Sequence, residues 1–462
     1  MRLTSKWVTR AFLNCWVWFL SLRRDLHKLL ISNEFRWIKS QFTGATFMFQ
    51  ELEDGLILRA GTESDINAIK KHVLAVHGKG GLPMVDRLFR LHPDFSPPDN
   101  FLIEDTKTGK VVAYYCLKLN TGVLGGQKIP VGQMEIVGTL EGYRNRGLIR
   151  KINEAFEQRV EEYKLPLVII AGIPFFYRKL GYEYAIRMGG SLTFSLELIP
   201  PLKKSEKEPI LIEEVTTNTF VKYLKTREKF TSYLDLYRDL TTDEYLYLST
   251  GKLGDEALYK FNLVRQNQKV VGIFTLNIGW GALEVTELWV ENLKYLIPLL
   301  RFWKALAKRK SLPLRIYFPS GPGIAQALES ISRSKFERPY AWYVKIPSIK
   351  RFVETIKPVI EQRVANSDFK GLTDSVRISW YHEGIELVFK DGILHATNPI
   401  PRSKVKDMDV AVPFPVIYQL LLGYRTIDEL YEIFPDAGGN ATKTPIIRQI
   451  FPKLSAIWSP EF

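Results

Sequence analysis

Among the 462 residues, the run Gln133 to Ile186, QMEIVGTLEGYRNRGLIRKINEAFEQRVEEYKLPLVIIAGIPFFYRKLGYEYAI, restricts the possible folds most. Gln133 to Thr139 reads as a strand that ends at a tight turn. Beyond the turn, Ile149, Ile152, Phe156 and Val160 recur at helical spacing. Leu167 to Ala171 (LVIIA) then reads as a buried strand, followed by a short turn and another strand. Strand, turn, amphipathic helix and strand predict an α/β unit.

The turn carries Arg144, Asn145, Arg146 and Gly147. The first amides of a helix have no internal partner and lie at the positive end of the helix dipole, so such a turn can hold a pyrophosphate. Gly147 lets the backbone approach closely, and the two arginines add charge. A dinucleotide fingerprint is excluded because GxGxxG is absent, and a Walker loop because no GK[ST] follows. An arginine-rich helix cap is the plain alternative. The turn resembles the Arg/Gln-x-x-Gly-x-Gly/Ala loop with which GNAT-superfamily acetyltransferases hold coenzyme A. Arg144 and Gly147 match, whereas Ile149 stands where a small residue is usual and narrows the approach.

A second motif has matching spacing. Phe176 to Tyr182, FYRKLGY, follows the LVIIA strand as Tyr-x-x-Leu/Phe-Gly-Tyr/Phe does in GNAT enzymes. Upstream, Leu56 to Arg59 reads as a strand and Ser64-Asp65 as the cap of a helix. Phe101 to Glu104, Lys110 to Leu119 and Pro130 to Thr139 read as further strands. Val76 to Pro98, with HGKGG and DFSPPDN, is expected to be flexible loop. In the GNAT fold the strand before the loop splays from its neighbour. The resemblance then implies that Val137 and Thr139 offer their amides to pantetheine, while Arg144, Asn145, Arg146, Gly147, Leu148 and Ile149 hold the phosphates.

Composition limits the other classes. Two cysteines, Cys15 and Cys116, cannot build a disulfide framework, and six scattered histidines suggest no metal site, so a reducing, cytoplasmic setting is expected. Of the formal charge of +14, residues 1 to 50 hold +6 from 8 Lys and Arg against 2 Asp and Glu, and the other 412 residues hold +8. No nucleic-acid motif accompanies this charge, and no nucleic-acid partner is expected. Ala11 to Leu22 is a 12-residue apolar run, too short for a bilayer core of about 30 Å. It reads as an interfacial anchor giving peripheral membrane contact, as a helix packed on the body, or as sequence upstream of the natural start.

The length suggests about three domains. Residues 1 to 50 form a basic extension and 51 to 199 a GNAT-like lobe. The proline-rich, charged linker Pro200 to Pro209 separates this from 208 to 346, where QKVVGIFTLN, Leu283 to Val290, a helix Leu293 to Lys308 and the strand Pro313 to Phe318 repeat the order without an RxxG turn. Residues 347 to 462 follow, with a helix through Phe352, Ile356 and Ile360, three strands, a helix Phe414 to Leu422 and a capping box at Thr426 to Glu429.

This three-part order resembles the enhanced-intracellular-survival (Eis) type of acetyltransferase. The expected fold is therefore mixed α/β (α+β): two tandem GNAT-like lobes with a sterol-carrier-protein-like C-terminal domain. The resemblance implies transfer of acetyl from acetyl-CoA to a primary amine, either a small molecule or a lysine side chain, without a metal, and in a possible homo-oligomer. Tyr177 matches the GNAT tyrosine that protonates the thiolate. In the Eis family the terminal carboxylate enters the active site. That implies a base at Phe462, a weak acceptor with a reference pKa of about 3.5. Glu135 is the alternative base, expected by alternation on the face of Val137 and Thr139. Glu461 would attract the cationic amine. The competing reading is a non-catalytic acyl-CoA or lipid-binding protein on a pseudo-GNAT scaffold.

Overall fold

The computed structural model describes residues 49–459, apart from 256–257 and 406–407. The apolar run in the N-terminal extension, Glu461 and Phe462 lie outside the described residues. The first lobe contains β1 (Phe49–Glu51), β2 (Leu56–Ala60), α1 (Ile66–His77), α2 (Leu82–Leu91), β3 (Asn100–Asp105), β4 (Lys110–Leu124), β5 (Gln127–Thr139), α3 (Leu148–Glu162), β6 (Leu167–Ile170) and β7 (Glu183–Arg187).

β4 and β5 run longer than their apolar cores suggested. Gly125 and Gly126 both take positive φ, 55° and 86°, and this two-residue turn lets the strands continue as one hairpin. The expected loop from Val76 to Pro98 is largely helical. Gly78 breaks α1 at φ 82°, Pro83 sits in the first turn of α2, and Met84, Val85 and Leu88 bury one face. The helical spacing was present but masked by the surrounding glycines and prolines.

The middle of the chain adds β8 (Ser191–Phe194), β9 (Leu211–Glu214), α4 (Phe220–Thr231), β10 (Leu236–Arg238), α5 (Thr242–Ser249), β11 (Lys260–Gln266), β12 (Lys269–Gly279), β13 (Ala282–Val290), α6 (Leu296–Lys310), β14 (Leu314–Tyr317), α7 (Ile324–Ser332) and β15 (Ala341–Lys345). The two lobes exchange strands. In the 10-stranded first sheet, β15 lies between β6 and β7, whereas β8 completes the six-stranded second sheet beside β14. The sheets therefore cross the sequence boundaries expected at 199 and 346.

The last part contains α8 (Ile349–Thr355), α9 (Lys357–Ala365), β16 (Asp374–Ser379), β17 (Gly384–Lys390), β18 (Ile393–Ile400), β19 (Val410–Ala411), β20 (Gly438–Gly439) and β21 (Ala456–Ile457). The helix expected through Phe352 and Ile360 is two helices, because Pro358 occupies the first turn of α9 and cannot continue α8. Thr426 and Glu429 form the expected capping box. One core joins this region to the first sheet, with Leu167, Ile169 and Trp342 packed among Phe352, Ile360 and Ile417. A second core sets α4 and α5 of the second lobe against α1 and α2 of the first, with Ile69 and Leu88 beside Phe220 and Tyr245. Among the described residues, no helix is long and apolar enough to cross a membrane.

Candidate active site

β5 pairs with β6 only from Val131 to Gln133, against Leu167 to Ile169. Beyond Gln133 the strands part, and β6 bonds β15 on its other edge. A β-bulge sits at the fork. Ile136 has φ 57°, and the register steps from Cys116 opposite Glu135 to Tyr114 opposite Gly138, so Ile136 and Val137 together face Tyr115. The extra residue reverses the alternation. Glu135 lies on the face of Cys116, and Thr139 lies on the opposite face with Ala113, which corrects the expectation that they share a face. The Leu140 amide donates to the Val112 carbonyl at 2.9 Å, so by alternation the Thr139 amide turns away from β4, toward the fork. Thr139 Oγ1 is buried there without a hydrogen-bond partner among the described residues.

The turn after β5 is built from its own backbone. The Tyr143 and Arg144 amides donate to the Leu140 and Glu141 carbonyls at 2.9 and 3.2 Å. Asn145 and Gly147 then take left-handed φ of 63° and 73°, and the Gly147 carbonyl accepts the first bonds of α3 from Arg150 and Lys151. No protein acceptor among the described residues engages the amides of residues 145–149. Consecutive outward amides at the start of a 15-residue helix form an anion nest. Arg144, Asn145, Arg146 and Gly147 are exposed around it, Leu148 is buried and Ile149 is half-buried. The nest is held in place: Arg146 pairs with Asp54, and the Tyr143 hydroxyl donates to Asp105 at 2.6 Å. At the other end of α3, Arg159 and Tyr163 both reach the buried Asp99, at 3.0 and 2.8 Å.

Across the fork, Tyr177 opens a short 3-10 turn after β6. Its ring is 5% exposed and packs against Phe176, Tyr182 and Tyr343, the last supplied by β15 of the second lobe. No protein hydrogen bond engages its hydroxyl among the described residues. Burial pushes its pKa well above the usual phenol range, and the Glu135 charge pushes the same way, so the phenol keeps its proton. Gly172 makes room for the ring, because any Cβ there would overlap the Tyr177 Cδ2 and Cε2 atoms. Lys345 of β15 ties this corner to α3 by bonding the Leu180 carbonyl at 3.1 Å and pairing with Glu157.

Glu135 is buried and accepts from Gln133 Nε2, and Gln133 Oε1 accepts from Asn120 Nδ2 at 2.9 Å. This chain of amides fixes the orientation of the carboxylate. The structure thus brings Glu135, Val137, Thr139, the loop from Arg144 to Ile149 and Tyr177 around one fork.

The last described residues, through Ser459, join the first sheet beside the second lobe. β21 pairs parallel to β10, which pairs antiparallel with the end of β4; Trp458 is buried against Gly122, and the Ser459 carbonyl accepts from Arg227 at 3.3 Å. Ser459 lines a cleft of about 300 Å³ together with Met188, Gly189, Asn277, Trp280 and Phe318. Sequence reasoning missed Gly172, Asn120, Gln133 and Tyr343. The glycine before FFYRKLGY was a usable signal, whereas the partners from distant strands left none.

Residues 58–185 match the acetyltransferase (GNAT) domain family. No curated protein sequence matches the chain. Similar solved structures include an Enterococcus faecalis protein described as a probable N-acyltransferase, at 14% identity and TM-score 0.64, covering 88% of this chain and all of that one. A GCN5-related N-acetyltransferase from Anabaena variabilis has 14% identity and TM-score 0.59, covering 87% and 99% of the two chains. Eis1 from Mycobacterium abscessus has 10% identity and TM-score 0.53, covering 89% and 97%. At these identities the likeness is one of fold and spans nearly the whole of each chain. The first lobe has the GNAT fold, whose family-level chemistry is acyl transfer.

Proposed function

We propose that the protein is an acetyl-CoA-dependent N-acetyltransferase of the Eis type, acting on a primary amine by direct attack on the thioester. The observation that carries this reading is the nest of amides at residues 145–149, engaged by no acceptor among the described residues, set across a splayed strand pair from a protonated Tyr177 hydroxyl that no described residue engages. The nest and the two loop arginines hold the pyrophosphate, and the outward amides on β5 hold the pantetheine arm. The amine nitrogen bonds to the carbonyl carbon as the carbon–sulfur bond breaks, and the thiolate takes the Tyr177 proton. Desolvation that raises the phenol also raises the thiol beside it, so the transfer stays close to balanced.

Glu135 eases removal of the amine proton, with Glu461 and the Phe462 carboxylate as further acidic groups. Burial of Trp458 and the placement of Ser459 favour a docked chain end, and the cleft at Ser459 is the candidate entry for the amine. The last domain is read as sterol-carrier-protein-like.

Calorimetry with coenzyme A and a free-thiol assay with acetyl-CoA and a panel of spermidine, an aminoglycoside and a lysine peptide test the proposal. Binding with thiol release supports it, binding without release favours a pseudo-GNAT sensor, and absence of binding refutes both. Tyr177→Phe should cut turnover and spare coenzyme A binding. Residues appended after Phe462 should lower the rate.

A further inference from the structure

The hairpin that joins β12 to β13 turns on two residues, Trp280 and Gly281, with φ of 48° and 71°. A turn of this shape favours Asn-Gly or Asp-Gly, because both positions need left-handed backbone. A bulky side chain at the first of them is an outlier, and Trp280 gains little by burial, since 85% of it is exposed. Backbone strain that no packing offsets clusters at functional segments.

Trp280 lines the cleft of about 300 Å³ described above, together with Phe318, which is 45% exposed, and the buried rings of Phe230 and Trp458. Gly80, between α1 and α2, and Gly189, after β7, line it from the first lobe without a side chain. Aromatic surface from three segments of the second lobe and from the last described residues thus meets in one space, at the small end of the usual ligand-pocket range of about 300–1,000 Å³.

The charges of the cleft are already matched. Among the described residues, Glu284 and Glu287 are the charged side chains that line it. Glu284 accepts from Arg315 and Asn277, both at 2.9 Å, and from Tyr317 at 3.1 Å. Glu287 accepts from Arg227 at 2.6 Å and from Tyr223 at 2.8 Å. Thr286 bonds Thr275, and the Ser459 carbonyl accepts from Arg227. An acceptor with several ammonium groups, or a ring of hydroxyls, would lose water here without finding an unmatched carboxylate among the described residues, which is costly. An aromatic body gains from the same loss of water and stacks on the rings.

We propose that the acceptor is an arylalkylamine, a primary amine on a short arm from one aromatic ring, with the ring held in this cleft by Trp280 and Phe318. Its one ammonium is the group that loses a proton and reacts, so the product is a neutral amide and no unmatched charge stays in the cleft. A polyamine would leave further ammonium groups there. The inference rests on the acetyltransferase reading and names the acceptor class for it.

The test uses full-length protein and acetyl-CoA, with thiol release from tryptamine, ethylamine, spermidine, kanamycin and a lysine peptide compared at a fixed pH. Wild type should take tryptamine with a kcat/KM about 10- to 100-fold above that of each of the others, the gain expected from burying one aromatic group. Trp280→Ala should cut the tryptamine-to-ethylamine ratio of kcat/KM about fivefold or more, chiefly through KM, and Trp280→Phe should restore most of it. Trp280→Asn suits the turn, so it should lower the same ratio while raising the melting temperature by a few degrees, the opposite of what a purely structural tryptophan would give.

Calorimetry with tryptamine reads the cleft without turnover. Wild type should bind it, and Trp280→Ala should bind about fivefold or more weakly. Preference of wild type for spermidine, kanamycin or the lysine peptide, or an unchanged ratio in Trp280→Ala, overturns the arylalkylamine assignment and leaves the enzyme reading standing. Tryptamine binding that depends on Trp280, without thiol release from any of the amines, overturns the acetyltransferase reading and keeps the ligand class. Absence of both overturns both.

Discussion

Gly172 provides a sharp probe of the site, because its effect passes through one ring. A Cβ built there overlaps Tyr177 Cδ2 and Cε2, the nearer at 2.1 Å, and lies 3.1 Å from Cζ, so the ring must retreat by at least 1.3 Å to reach ordinary contact at 3.4 Å. It cannot do so freely: Phe176, Tyr182 and Tyr343 close the other sides with ring centres 5.1 to 6.2 Å away. Overpacking of this kind costs about 1–3 kcal/mol of stability. A catalytic group displaced by about 1 Å loses on the order of 100-fold in rate, about 2.7 kcal/mol in the barrier. Gly172→Ala should therefore fold, bind coenzyme A as wild type does, and release thiol about 100-fold more slowly. The decisive measurement is the double variant. If Gly172 acts by seating Tyr177, then adding Gly172→Ala to Tyr177→Phe should lower the rate by less than about threefold. Wild-type turnover in Gly172→Ala, or an undiminished loss in the Tyr177→Phe background, would refute the reasoning.

Two further outcomes follow from the same geometry. Gly147 has open space around it, so Gly147→Ala meets no clash and pays only for a left-handed φ of 73°, about 1–2 kcal/mol; thermal melts should show the melting temperature lowered by a few degrees. Burial raises the phenols of Tyr114, Tyr115, Tyr182 and Tyr223 above their unfolded values, so each contributes stability that is complete below pH 10 and lost as pH rises further. Denaturant melts should thus show no loss from these groups up to pH 10 and a steep loss above it.

Local order was legible in the sequence and long-range partnership was not. The turn from Arg144 to Gly147, the periodicity of α3 and the apolar run of β6 are each encoded within a few residues, and two short motifs at fixed spacing were enough to place the fork. The bulge at Ile136 had no such signature, since a β-branched residue with positive φ is an exception that tertiary context imposes. Its effect was to reverse the face assigned to Glu135. Lys118, Asn120 and Gln133 stand at inward positions of long apolar strands, where their meaning depends on what the facing strand supplies. The helix α2 was obscured by the glycines and prolines that flank it.

The exchange of β8 and β15 has the largest consequence for how the site is held. Tyr343 packs on Tyr177 and Lys345 bonds the turn that carries it, so the second lobe, although it lacks an RxxG turn, builds one wall of the first lobe's site. Trp342, Tyr343 and Val344 are fully buried in the first sheet, and Leu192 and Phe194 in the second. At about 1.5–3 kcal/mol for each buried side chain, these five alone contribute roughly 8–15 kcal/mol in gross terms, and micromolar association needs about 8. The packing of α4 and α5 on α1 and α2 adds to this. The linker at 201–209 is largely exposed, with Glu208 paired to Arg301 of the second lobe. Cleavage there by limited proteolysis should therefore leave two fragments that co-elute on size exclusion at micromolar concentration and retain coenzyme A binding. Trp342→Ala, which removes the largest side chain that β15 buries in the first sheet, should make the nicked fragments separate. Separation of the nicked wild-type fragments under the same conditions would mean that the exchanged strands do not hold the lobes together, and the second lobe's part in shaping the Tyr177 pocket would have to be abandoned.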